Sequence, residues 1–154
     1  MPKKLLSILL AAALLLLCVP AGAIPTVEAA TYTSGDYTYS VSGTDATITK
    51  YSGSATDLTV PDTLGGYPVT AIGNSAFYNN KTLQTVIIPD SVLRIEGRVF
   101  EGCTALRNVT LSENLVYLGY RAFTDTAIES IRIPKSLDSA GYYDNCSYTF
   151  NGET

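Results

Sequence analysis

Residues Leu83–Ala105 read LQTVIIPDSVLRIEGRVFEGCTA, and residues Leu106–Ala127 read LRNVTLSENLVYLGYRAFTDTA. Set one above the other, they align Leu83 with Leu106, Val86 with Val109, Ile88 with Leu111, Ile95 with Leu118 and Phe100 with Phe123. Five apolar positions in register over a step of 23 residues mark an internal repeat, and a repeat of that length means stacked structural units. Upstream, a longer unit from Leu58 supplies Val60-Pro61, Ile72-Gly73 and Phe77; downstream, Ile128, Ile131, Ile133 and Pro134 restart the pattern.

Each unit opens with an L-x-x-V-x-I alternation, the period-two signature of a half-buried strand. Pro61, Pro89 and Pro134 follow these segments, and proline cannot donate to a sheet ladder, so each strand is expected to stop there. The expected fold is a repeat solenoid, mainly β, whose parallel sheet takes one short strand from each repeat. The half of each unit that ends in Phe returns along the opposite face. One unit alone has no partner for its apolar face, so stability is shared between neighbours.

The open ends of such a stack need covering. Residues Asp36–Ser54, DYTYSVSGTDATITKYSGS, predict a hairpin with strands near Tyr37–Val41 and Ala46–Lys50 around Ser42-Gly43-Thr44-Asp45, placed to cap the first repeat. After Leu137 the chain turns rich in Tyr, Gly, Ser and Asn. That stretch is either an incomplete last repeat that folds over as an irregular cap, or the beginning of a longer array. The organisation is therefore a leader over 1–29, a hairpin cap over 30–57, repeats over 58–137 and a final segment over 138–154.

The leader is read from Lys3 and Lys4, the apolar run Leu5–Val19 and the small residues and prolines that follow, the pattern of a secretory signal peptide. The apolar run falls short of the roughly 20 residues that a membrane-spanning helix needs, so no span is expected after cleavage. Cleavage fits after Ala23 or after Ala29, and the second leaves a polar mature start at Thr31-Tyr32-Thr33. Without residues 1–29 the chain carries 8 basic and 13 acidic side chains. That balance, with the basic residues scattered, argues against a nucleic-acid partner.

Histidine is absent from the chain, which removes the commonest general base and metal ligand. No Ser/His/Asp or Cys/His system is available, and neither enzymatic activity nor a cofactor or metal is expected. Glu96 and Glu101, the nearest thing to a carboxylate pair, fall on the turn side of a repeat and are expected to be solvated. Asp36, Asp45 and Asp57 lack the spacing of a calcium loop. Cys103 is expected to be a small buried filler, because Asn80 and Thr126 occupy the same position in neighbouring units. Asn80-Lys81-Thr82, Asn108-Val109-Thr110 and Asn145-Cys146-Ser147 match the weak glycosylation pattern.

The combined motif, in IIPDSVLRIEGRVFEGCTAL from Ile87 and VTAIGNSAF from Val69, resembles the BspA-like leucine-rich-repeat family. The resemblance covers residues 58–137. The third unit departs from it with Ser112 for proline, Leu115 for valine and Thr126 for cysteine, and the first carries an insertion around Gly65-Gly66-Tyr67. It implies a leucine-rich-repeat solenoid, display outside a bacterial cell, and binding of proteins, in some members adhesion to host or neighbouring-cell proteins.

The alternation places certain side chains outward across the parallel sheet. They are Gln84, Thr85 and Ile87 in one unit, Arg107, Asn108 and Thr110 in the next, and Glu129, Ser130 and Arg132 in the third. This mixed, shallow surface suits a protein partner. Tyr117, Tyr120, Tyr142 and Tyr143 form a second group of candidate contacts, able to enter a protein interface or stack on a glycan. The alternative to a protein-binding module is a non-catalytic accessory or spacer unit of a larger secreted protein, one that could be glycan-active.

Overall fold

In the computed structural model of the chain, residues 30–137 and the backbone of 147–150 are described. The leader, Tyr142, Tyr143 and Cys146 lie outside the described residues. The repeat alternation becomes short strands: β4 (Asp57–Thr59), β7 (Thr85–Ile87) and β9 (Asn108–Thr110). These form one parallel sheet in which Leu58, Val86 and Val109 share a register position, as do Thr59, Ile87 and Thr110. Every second residue turns inward, so Val86 is fully buried beside an exposed Ile87. The prolines follow the strands closely, Pro61 after β4 and Pro89 after β7.

A second parallel sheet runs along the opposite side. It contains β6 (Tyr67–Ile72), β8 (Arg94–Ile95) and β10 (Tyr117–Leu118), with Ile72, Ile95 and Leu118 in register. Each complete repeat thus supplies two strands where one was expected. The extra strand is only two residues long, too short for an alternation to show in the sequence. The insertion around Gly65-Gly66 is the turn of a small hairpin between β5 (Thr63–Leu64) and β6.

Ahead of the repeats, β1 (Thr31–Ser34), β2 (Tyr37–Ser42) and β3 (Asp45–Tyr51) form an antiparallel meander. Strand β3 then lies parallel to β6, so the meander continues the second sheet. Its apolar residues Ala46 and Ile48 are completely buried in the same core as the repeats.

The third side of each turn has no strands yet is hydrogen-bonded from repeat to repeat. Phe77 N–H donates to Val99 O and Phe100 N–H to Ala122 O, while Ser75 N–H donates to Gly97 O and Arg98 N–H to Tyr120 O. Left-handed backbone recurs at the same places: Ser75, Arg98 and Arg121 in one set, Asn79, Gly102 and Asp125 in the other. A bulky Arg does not choose positive φ by itself; stacking imposes the turn. Inside, Tyr51, Phe77, Phe100 and Phe123 stack along the solenoid with ring centroids 5.0, 5.0 and 5.5 Å apart.

The last described turn belongs to a separate pairing. Strand β11 (Ser130–Ile133) pairs in parallel with β12 (Ser147–Phe150), whereas the β4-β7-β9 sheet ends at β9.

Candidate binding face

The outward side chains of the β4-β7-β9 sheet fall in two rows that the register defines. Asp57, Thr85 and Asn108 make one row; Thr59, Ile87 and Thr110 make the other. Ser130 and Arg132 on β11 stand beside the ends of these rows. Gln84, Ile87, Arg107, Asn108, Thr110, Glu129, Ser130 and Arg132 are all exposed, and Thr85 is half-buried between them. Ile87 is an apolar point within this polar strip, 44% exposed. Thr85, Ile87, Asn108 and Thr110 thus share the β7-β9 ladder, whereas Ser130 and Arg132 stand on the separately paired β11.

Two hollows lie between β9 and β11. The first, of about 320 Å3, is lined by Arg107, Asn108, Ala127, Glu129 and Ser130. The second, of about 180 Å3, is lined by Val109, Thr110, Leu111, Glu113, Arg132 and Pro134. They mark a break in the sheet whose cause is a change of repeat length. Leu106 follows Phe100 by six positions, whereas Ile128 follows Phe123 by five. The shortened turn reaches the sheet differently: Ala127 N–H donates to Leu106 O, while one repeat earlier Arg107 and Asn108 N–H donate to Gln84 O. Since Asn108 N–H and Thr110 O face β7, alternation in a parallel ladder turns the N–H and C=O of Val109 toward the break.

The electrostatics of the two hollows differ. Across the second, Arg132 Nη1 lies 3.2 Å from Glu113 Oε1. Around the first, Arg107 and Glu129 carry opposite charges, and no ion pair joins them among the described residues. The sequence reading identified Arg107, Asn108, Thr110, Glu129, Ser130 and Arg132 but missed Val109, Leu111, Glu113, Ala127 and Pro134. The missing position between Phe123 and Ile128 is the signal that marks them.

Tyr117 and Tyr120, the described members of the tyrosine group, lie away from the β4-β7-β9 sheet. Tyr117 lies on β10 in the second sheet, with the Arg94 guanidinium 4.2 Å from its ring centroid. Tyr120 follows in the next turn, 48% exposed, with Arg121 5.9 Å from its ring.

Turn residues are more structural than their types imply. Glu101 is not solvated as expected: it sits largely buried between Arg121, at 3.1 Å, and Arg98, at 3.6 Å. Glu96 pairs with Arg94 at 3.1 Å. Asn80 donates to Gly53 O and accepts from the N–H groups of Thr82 and Leu83. Its amide is thereby committed to the turn, an unsuitable place for a glycan. Cys103 is fully buried, and its Sγ donates to Phe77 O at 3.1 Å. Burial pushes its thiol from an ordinary 9.0 to about 11, against smaller opposing effects of the Asn80 backbone and Lys81. A thiol held neutral and covered from solvent is unreactive.

Parallel strands stacked at one repeat per turn, with a leucine, isoleucine and phenylalanine core, define a leucine-rich-repeat solenoid. The model of the BspA type leucine rich repeat region matches residues 51–151 in six copies, and the chain belongs to that family. Among solved structures, a leucine-rich repeat protein from Bacteroides capillosus shares 32% identity with a TM-score of 0.71, covering 79% of this chain and 99% of that one. A leucine rich cell surface protein from Faecalibacterium prausnitzii shares 29% identity with a TM-score of 0.63. The match covers 80% of this chain and 43% of that protein, so this chain corresponds to less than half of it. The leucine rich repeat protein of T. pallidum, at 22% identity and a TM-score of 0.61 over 75% of this chain and 67% of that one, shares the fold. A comparison with curated proteins finds no match.

Proposed function

We propose that this chain is an exported, non-catalytic binding module that acts at the cell surface or outside the cell and recognises a protein partner, in the manner of an adhesin. The observation that carries this reading is the two-row strip of outward side chains on β4, β7 and β9, continued by β11. It is polar, shallow and extended, with Ile87 as an apolar anchor point. Protein interfaces combine a few such anchors with a polar surround. Export is supported by the sequence of residues 1–29, and a surface location by the cell surface protein of F. prausnitzii among the similar structures.

The test is capture by the purified protein of extracellular-matrix and neighbouring-cell surface proteins, with polysaccharides run in parallel. Saturable capture of a protein, abolished by replacing Ile87, Thr110 and Arg132 together with alanine, is the expected result. Capture unchanged by that triple replacement moves the site off the sheet. Capture of polysaccharide alone favours an accessory module of a glycan-active protein.

A further inference from the structure

The break between β9 and β11 has a geometry that a regular repeat would not offer. Asn108 and Ser130 are among the residues that line the first hollow, Thr110 and Arg132 among those that line the second. On each strand these lining residues are two apart, one period of a strand, about 6.6 Å. That is also the distance between side chains on one face of any extended peptide. The hollows differ in kind: Arg107, Asn108, Glu129 and Ser130 make the first polar and give it an unmatched charge of each sign, whereas Val109, Leu111 and Pro134 supply apolar wall to the second. The second is also the smaller, at about 180 Å3 against about 320 Å3.

We propose that this break is the recognition centre of the binding face and takes an extended segment of a protein partner. Two alternate side chains of that segment enter the hollows: a polar or charged one between Arg107 and Glu129, and a small aliphatic one beside Val109 and Leu111. The preferred motif is a polar residue, any residue, then a small aliphatic residue such as valine, or its reverse for the opposite chain direction. A one-residue contraction of the third repeat thus turns a flat sheet into a site with side-chain selectivity. The proposal rests on the reading of the sheet as a protein-binding face and adds the chemistry of the ligand to it.

The experiment is selection of linear peptides from a phage-displayed random heptapeptide library on the purified protein. Peptides that share the polar-x-aliphatic pair are expected. Synthetic versions should bind at least ten-fold more weakly to Ser130→Trp, which fills the first hollow, and to Thr110→Arg, which fills the second. Both substitutions are at exposed positions, so they leave the core intact. A third variant carrying one extra glycine after Asp125 restores the repeat length and should also lose the peptides, while circular dichroism reports whether it folds.

Selection of no peptide, of peptides without the paired motif, or of peptides that bind Ser130→Trp and Thr110→Arg undiminished overturns the proposal. If such peptides, or captured proteins, still lose binding in Ile87→Ala, the sheet-face reading survives without the break as its centre. If Ile87→Ala also has no effect, both fail.

Discussion

Individual side chains in this molecule answer to the repeat before they answer to their own chemistry. Phe100 is completely buried and stacked between Phe77 and Phe123. Phe100→Ala is expected to cost about 3 to 5 kcal/mol, read from denaturant melts; a loss below about 1 kcal/mol would be inconsistent with a filled aromatic stack. Cys103 makes the same point electrostatically. Its pKa is raised in the folded chain, from 9.0 to about 11, so the unfolded chain releases the proton first as pH rises. Its contribution is fully present below pH 9 and is lost between pH 9 and 11, on the order of 2 kcal/mol. Denaturant midpoints should fall across that window, and the fall should shrink in Cys103→Ser. A slope unchanged by the substitution would assign the alkaline loss to other groups, Tyr37 first, since burial raises its pKa to about 12.

At the scale of elements, the strands that an alternation can announce were legible and the others were not. Val86, Ile88, Val109 and Leu111 disclose β7 and β9 because inward residues must be apolar at every second position. The pairs Arg94–Ile95 and Tyr117–Leu118 are too short to alternate, so the second sheet emerges only when the turns are stacked. The left-handed turn was equally hidden, since Ser75, Arg98 and Arg121 are not residues that favour positive φ. The turn is expected to respond to glycine according to φ and to the room around the Cβ. Ser75→Gly, at φ 57° and exposed, should stabilise the protein by up to about 1 kcal/mol, because it relieves a left-handed conformation. Gly102→Ala, at φ 76°, should lose at least as much, because its Cβ would also clash with Asn79 Oδ1. Equal stabilities for the three proteins would show that the turn relaxes its backbone when one residue changes. Of the binding face, the exposed polar residues were legible from alternation, but the hollows were not. They arise from one absent residue in a turn, visible only when the third and fourth units are compared.

For the whole molecule, stability is a sum over neighbours, and a weak contact between two turns divides it. The sheet that joins β4, β7 and β9 carries continuous ladders, and the aromatic stack runs alongside from Tyr51 to Phe123. Beyond β9 the sheet is interrupted, and the aliphatic core residues Ile128, Ile131 and Ile133 hold the next turn in place. Local opening is easiest where the fewest ladder bonds must break. Native-state hydrogen exchange should therefore be graded along the chain. The amides of Phe77 and Phe100, buried and bonded to the following repeat, should exchange only through global unfolding. The Val109 amide, turned toward the break, should exchange faster by orders of magnitude although it lies in the same strand as the protected Thr110. Restoring the absent residue after Asp125 should slow Val109 toward the rate of Val86, its counterpart one repeat earlier. Uniform protection of Val86 and Val109 in the unaltered chain would mean that the interruption does not weaken coupling between turns. The solenoid would then unfold as one cooperative unit across β9 and β11.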